Sequence, residues 1–257
     1  MEEVLDLLQQ QDYEQDIDRY RSLYFYLGMP NSDFRLETSL KRNCKQHYRE
    51  LESAMMRNFT KYAVIEDPLL ADDVWRQLIV GRHHGLASRL QDWTHSPLIS
   101  LHFATTGESF SEMEAHDSVI WRVDIRELNE KLPEKYRTAL EKTKSHIFTL
   151  DMLNSVVSDL EEYDRDMGGR SMVLLEPPSI DERIVYQYSH FFIVPADMDD
   201  IERFIDENTE STIRYIIDKS LKWRIRDMLD QLNITERMIF PGLDGLTAWL
   251  NRHYYVK

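Results

Sequence analysis

The sequence predicts an α+β fold: a mostly antiparallel central sheet flanked by helices. Three observations carry this. Segments of strand character and segments of helical period are interspersed without the regular strand–helix alternation that marks a parallel sheet. At 42% hydrophobic and 11% aromatic residues, the 257-residue chain can bury a full core. Only eight Gly and eight Pro are present, too few for long unstructured linkers.

Residues 1–22 read as a polar helical lead-in, with Leu5, Leu8, Tyr13, Ile17 and Tyr20 as a loose apolar stripe, and residues 23–257 as one domain. Leu23–Leu27 is bulky and aromatic and runs into a turn at Gly28, Met29 and Pro30, which predicts a strand. Residues 45–66 follow as a long helix, with Tyr48, Leu51, Met55, Phe59 and Tyr62 spaced by three and four. Pro68 ends it, because proline disfavours a helical residue before it. A second helix spans about 70–84, with Val74, Leu78 and Ile79 inward and Gly85 as a left-handed stop. Arg89–Trp93 is short and extended. Ser96 and Pro97 read as an N-cap and first helical residue, and the helix behind them is apolar on most sides.

Residues 107–117 read as a polar loop. In the next strand Val119, Trp121, Val123 and Ile125 face one way and Arg122 and Asp124 the other, a half-buried pattern. Residues 134–166 read as two charged surface helices ended by Gly168 and Gly169. Ser171–Glu176 is a strand stopped by Pro177, and Arg183–Val194 is the longest strand-like run. A helix over 198–207, a strand near Ile213–Ile217, a helix capped by Ser220 and a final helix introduced by Phe240, Pro241 and Gly242 complete the chain. No repeat period and no low-complexity tract interrupts it.

Charge and cysteine usage exclude several function classes. The net charge of −15 repels nucleic acid globally. Nucleic-acid binding would need a local basic face, for which Arg214, Lys219, Lys222, Arg224 and Arg226 are the candidates. A single cysteine, Cys44, excludes an internal disulfide and a thiolate-based zinc site. No run approaches the roughly 18 apolar residues of a membrane helix, and Met1–Asp6 lacks the basic start of a secretory signal. The expectation is a cytoplasmic protein with no membrane partner.

The chemistry concentrates between Val80 and Ala104. Adjacent helical histidines, His83 and His84, point about 100° apart and cannot share one metal. No metal site is expected, and the pair serves either a phosphate-bearing ligand or the dipole of its helix. Arg89, if buried, needs an anionic partner, and Asp92 stands near in the chain; a structural ion pair and a ligand role remain equal readings. Trp93 is core or a stacking platform, and Thr94 a helix cap or a ligand contact. The N-terminus of the Pro97 helix is an anion site in principle. Gln187, with Arg183 and Ser189, lies on the polar side of the long late strand. Ser88 and Ser96 lack the glycine-flanked elbow of a nucleophile.

His83–Thr94, followed by Ser96–Leu98 and Phe103–Ala104, resembles the central signature of FRG domains, roughly H-[HY]-G-L-P-T-R-L-L-D-W-T-x-[SN]-P-L. Arg183–Gln187 with Phe191, and the tail Leu232–Leu246, resemble two further blocks in the same order. The Phe-Arg-Gly triplet that names the family stands here as Tyr26-Leu27-Gly28, so its arginine is missing, and Arg35 or Arg42 are the available substitutes. The layout resembles ADP-ribosyltransferase folds. That kinship implies catalytic roles for Arg89, Asp92 and Gln187, ligand contacts from His83, His84, Thr94, Arg42 and Arg183, and NAD as the candidate cofactor, while the resemblance to FRG domains implies a setting in bacterial or phage defence. The missing arginine, and a glutamine where those folds carry an acid, motivate the alternative of a non-catalytic sensor or protein-interaction module.

Overall fold

The computed structural model describes residues 6–7, 11–107 and 109–256. Six strands form one sheet: β3 (Tyr24–Met29), β4 (Leu90–Thr94), β5 (Ser118–Asp124), β6 (Val173–Leu175), β7 (Ser189–Ile193) and β8 (Ile213–Ile217), in the order β6-β7-β4-β3-β5-β8. Every ladder in it is antiparallel. The helices are α1 (Ser39–Cys44), α2 (Tyr48–Ala63), α3 (Val74–His83), α4 (Pro97–Ala104), α5 (Phe110–Ala115), α6 (Ile125–Asn129) and α7 (Glu134–Thr143). They continue as α8 (Leu150–Asn154), α9 (Leu160–Met167), α10 (Glu182–Tyr186), α11 (Ile201–Asn208), α12 (Lys222–Gln231), α13 (Glu236–Ile239) and α14 (Leu243–His253). This is the predicted α+β architecture.

The two sheet faces are covered differently. On one face Phe25, Trp93, Trp121 and Phe192 pack under α11 through Ile201, Phe204 and Ile205. The other face carries two separate clusters. At the β6–β7 end Leu90, Val173 and Phe191 pack with Trp75 of α3, Tyr136 of α7 and Tyr163 of α9. Near β3, β5 and β8, Tyr26, Ile120 and Ile217 pack with Leu101 of α4 and Ile225 of α12. A gap remains between these clusters. It coincides with the weakest junction of the sheet, because β3 and β4 are paired only at Tyr26–Thr94 and part beyond it, whereas β3 pairs with β5 over its whole length.

Several sequence expectations are corrected. Residues 12–21 of the lead-in form a hairpin of β1 (Asp12–Glu14) and β2 (Arg19–Arg21), not a helix; Leu5 and Leu8 lie outside the described residues. Asp18 takes the left-handed conformation that closes the turn, and Tyr13 and Tyr20 meet across it at 5.2 Å. Tyr13, Ile17 and Tyr20 are all exposed, so there is no core for a helix to lie on. Helix α2 turns Glu52 and Met56 inward and leaves Leu51 and Tyr62 exposed. Residues 110–115 form a helix capped by Ser109 instead of a loop. Every residue of β5 is buried, because helices cover both faces. The 134–166 region holds three helices that send Tyr136, Leu140, Leu153, Tyr163 and Met167 into the core. The 183–194 strand is helix α10 followed by β7: the Asp181 carboxylate caps α10 by accepting from the Arg183 N–H at 2.7 Å, and Tyr188 turns the chain through a left-handed conformation. Asp218, not Ser220, caps the turn that leads into α12.

Other local expectations hold. Gly85 adopts φ +86 just past α3, and Ser96 accepts from the Ile99 N–H with Pro97 at the helix start. Gly28 is required for a different reason. A Cβ there would stand 1.9 Å from the Ser100 carbonyl oxygen, so only glycine lets α4 lie flat on β3. Gly28→Ala is expected to cost about 2 kcal/mol or more, read as a lower urea midpoint with unchanged m-value; an unchanged midpoint contradicts this packing.

His190 adds a pH dependence. Burial, only partly offset by its hydrogen bond to the Tyr188 carbonyl, lowers its pKa from 6.5 to about 4. The unfolded chain protonates this ring below about pH 6.5 while the folded chain does not. The stability present above pH 6.5 is therefore lost as pH falls towards 4. Urea unfolding at pH 7 and pH 4.5 should show a loss larger by about 2 kcal/mol in the wild type than in His190→Phe.

Candidate functional site

The gap on the sheet forms a cleft of about 710 Å³. Tyr26, Gly28, Asp92, Thr94, Ser189 and Phe191 form its floor. Arg82–Gly85 at the end of α3 make one wall, Phe103 of α4 another, and Arg183, Ile184 and Gln187 of the α10 segment a third, with Phe240 beside them. Of the eight residues singled out from the sequence, Asp92, His83, His84, Thr94, Arg183 and Gln187 line this cleft; Arg89 and Arg42 do not.

Arg89 is corrected to an interior position. It is 5% exposed, and its partners are Glu52 of α2 and Asp164 of α9, not Asp92. Nε donates to Glu52 Oε1 at 2.8 Å, Nη2 to Glu52 Oε2, and Nη1 to Asp164 Oδ1 at 2.6 Å. Burial opposes the charge, but Glu52 and then Asp164 more than offset it, so the guanidinium pKa is raised and Arg89 stays charged. Asp164 also accepts from the Ala196 N–H. This constellation lies outside the cleft, and Arg89 borders only a void of about 10 Å³ beside Tyr48 and Pro195.

Asp92 instead pairs with Arg82, the residue before the histidines. Arg82 directs Nε (2.9 Å) and Nη2 at the same carboxylate oxygen and donates from Nη1 to Ser39 Oγ at 3.1 Å. His83 Nε2 stands 3.3 Å from Asp181. Burial lowers the His83 pKa against the pull of Asp181, so the ring is neutral at pH 7. The His84 ring stands edge-on to it at 5.0 Å.

Thr94 and Gln187 act as ties. Thr94 Oγ1 donates to the Gln187 carbonyl at 2.7 Å and accepts from the Ser96 N–H at 3.1 Å, joining β4, α10 and the entry to α4. Gln187 Nε2 donates to the Ile239 carbonyl at 3.1 Å, which holds α13 against the cleft. Gln187 thus follows a short helix rather than sitting on a strand. The α4 N-terminus does not line the cleft; Phe103 near its other end does. Trp93 is buried, its Nε1 donating to Gln91.

Arg183 is different from its neighbours. Its guanidinium lies 5.1 Å over the Phe240 ring, and its Nε is buried without a hydrogen-bond partner. No carboxylate pairs with it among the described residues. Arg42 lines a second cavity of about 690 Å³, which shares Leu27, Arg82 and Asp92 with the first. Among the described residues, no group of three or more His, Cys, Asp or Glu is placed to hold a metal ion. Sequence reasoning missed Arg82, Phe103 and Phe240 as cleft residues. Arg82 directly precedes the histidines and Phe240 opens the tail block, so proximity to the motifs was the available signal.

The cleft thus sits on an antiparallel sheet beside a His-His-Gly helix end and an Asp-Trp-Thr strand. Residues 22–112 match the family model of the FRG domain. The match covers β3 through α4 and so includes Gly28, Arg82–Gly85, Asp92 and Thr94. Neither the curated proteins nor the solved structures hold a match to the chain.

Arg89→Ala leaves Glu52 and part of Asp164 without a cation in the interior. The expected cost is roughly 3–5 kcal/mol, seen as a large fall in Tm. The mild variant Glu52→Gln, which keeps a hydrogen-bonding partner for Arg89, should cost less. Equal Tm values for wild type and Arg89→Ala would remove Arg89 from the scaffold.

Proposed function

We propose that the cleft recognises a small phosphate-bearing, nucleotide-like ligand. The observation that carries this reading is Arg183: a planar cation without a carboxylate partner, aimed into a cleft with aromatic walls. Such a fork binds phosphate oxygens in pairs. Phe103 and Phe240 supply flat apolar surface for a base, and the neutral His83 and its neighbour His84 supply further donors. In a chain of net charge −15, one unpaired guanidinium within a cleft selects a compact anion over a polyanion. The candidate nucleic-acid face is not assembled: Arg214 pairs with Asp206, Arg226 is buried on Glu236, and the buried Lys222 donates to the Pro30 carbonyl.

Recognition without group transfer fits the polar residues best. Asp92, the carboxylate in the cleft, is occupied by Arg82, and the Gln187 amide is occupied by Ile239. Neither is free to orient a ribose hydroxyl, which favours a sensor or interaction module over an ADP-ribosyltransferase-like enzyme. The functional unit in this reading is residues 23–257, because Arg183 and Phe240 lie outside the matched range. No helix among the described residues is long and apolar enough to cross a membrane.

A thermal-shift series with AMP, ATP and NAD tests the reading. At a hundredfold excess over Kd, a bound nucleotide stabilises by about 2.7 kcal/mol, or roughly 5–10 °C for a domain of this size. Arg183→Ala should abolish the shift and Arg183→Lys should retain part of it. No shift with any phosphate compound, or a full shift in Arg183→Ala, overturns the assignment. Incubation with labelled NAD should release no nicotinamide; release would restore the transferase reading.

A further inference from the structure

The cleft is one half of a larger opening. The second cavity, of about 690 Å³, adjoins it where β3 and β4 part, and Leu27, Arg82 and Asp92 belong to both. On β3, Tyr26 and Gly28 face the first cavity, while Leu27 and Met29 belong to the core of the opposite sheet face. The parting strands thus join a hollow on one face of the sheet to a hollow on the other.

We propose that the two cavities form a single bipartite site for two nucleoside-sized groups joined by a diphosphate, with Arg82 at the junction as its central cation. This rests on the reading of the first cavity as a nucleotide-like site. Each cavity is within the range that holds one small ligand, and a single nucleotide fills only one of them. The charges are arranged to match. The cations lining the two cavities are Arg183 on one side, Arg82 at the junction and Arg42 beyond it, with Arg35 and Lys41 already paired to Asp200 and Asp199. Asp33 and Glu37 of the second cavity repel phosphate but accept hydrogen bonds from ribose hydroxyls or a base amine. Phe34, 54% exposed at that cavity, provides a ring face for a second base.

Arg82 is suited to exchange partners. The pair it forms with Asp92 is accessible, with side chains 26% and 50% exposed, and both of its donors converge on one carboxylate oxygen. A diphosphate presents more acceptors and more charge to the same fork.

Calorimetric titration of the full chain with AMP, inorganic pyrophosphate and diadenosine diphosphate tests this. Wild type should bind diadenosine diphosphate at least tenfold more tightly than AMP. Arg42→Ala and Phe34→Ala, both at exposed positions, should each remove fivefold or more of that advantage and leave AMP binding unchanged. Arg183→Ala should weaken both ligands. Equal affinity for AMP and diadenosine diphosphate, or an advantage that survives both second-cavity variants, overturns the bipartite site while leaving the single-cavity reading intact. Pyrophosphate binding as tightly as diadenosine diphosphate also overturns it, since the nucleosides would then contribute nothing. Failure of every phosphate compound to bind overturns the underlying reading as well.

Discussion

The buried contact of Arg89 with Glu52 and Asp164 sets where β4 runs. It ties the start of that strand to α2 and α9, in the helical layer over the β6–β7 end of the sheet. The β4–β7 ladder holds the same end from the side, with five consecutive register pairs. Among the described residues, no ion pair joins β4 to β3. A buried arginine with two carboxylates is expensive to desolvate, but once formed it admits few alternative geometries. The single Tyr26–Thr94 pair is what remains possible between β4 and a β3 that is itself fully engaged with β5.

A sheet open at its centre would ordinarily close by sliding or collapse. Here both sides are fixed. Gly28 lets α4 approach β3 so closely that any side chain would collide with the Ser100 carbonyl, and this pins β3 under the α4–α12 cluster. Gly28 is therefore required for packing. Leu27 packs partly into the core and borders both cavities. In this chain Arg82 supplies the cation at that boundary. A guanidinium on α3 reaches the place that Leu27 also borders, so the opening carries positive charge.

The sequence made the location of the site legible and its internal pairing illegible. The helix stop at Gly85, the Ser96 cap and the extended Arg89–Trp93 segment depend on neighbours within a few residues, and all could be read. Closeness in the chain makes Asp92 a candidate partner for Arg89, beside the equal reading of a ligand role for the two. Their actual partners are chosen by tertiary geometry: Glu52 is 37 residues away and Asp164 is 75. The inward turn of Glu52 also rotated α2 away from its apolar stripe, so one long-range ion pair defeated two local inferences. Residues 183–194 show the same limit. Their apolar content suits a strand, but a single carboxylate cap at Asp181 and a left-handed Tyr188 divide them into a helix and a strand. That division carries Arg183 from a sheet surface to the lip of the cleft.

Phe240, on which Arg183 lies, is held from behind by a second buried ionic network. Arg226, 1% exposed, contacts Glu236, and Arg252 spans Glu236 and Asp230. Arg226 Nη1 also meets His102 Nδ1 at 2.6 Å, and burial, with Arg226 and Arg252 nearby, keeps that imidazole well below its usual pKa and therefore neutral as the acceptor. His102 neighbours Phe103 in the chain, and both rings approach Phe240. The network therefore links α4, α12, α13 and α14 behind the aromatic wall. Gln187 reaches the same wall through Ile239. The cleft thus stands between two buried arginine clusters: one around Arg89 draws β4 aside, and one around Arg226 fixes the ring beneath Arg183. Their charges are satisfied internally, which leaves Arg183 as the cation presented within the cleft without a carboxylate of its own.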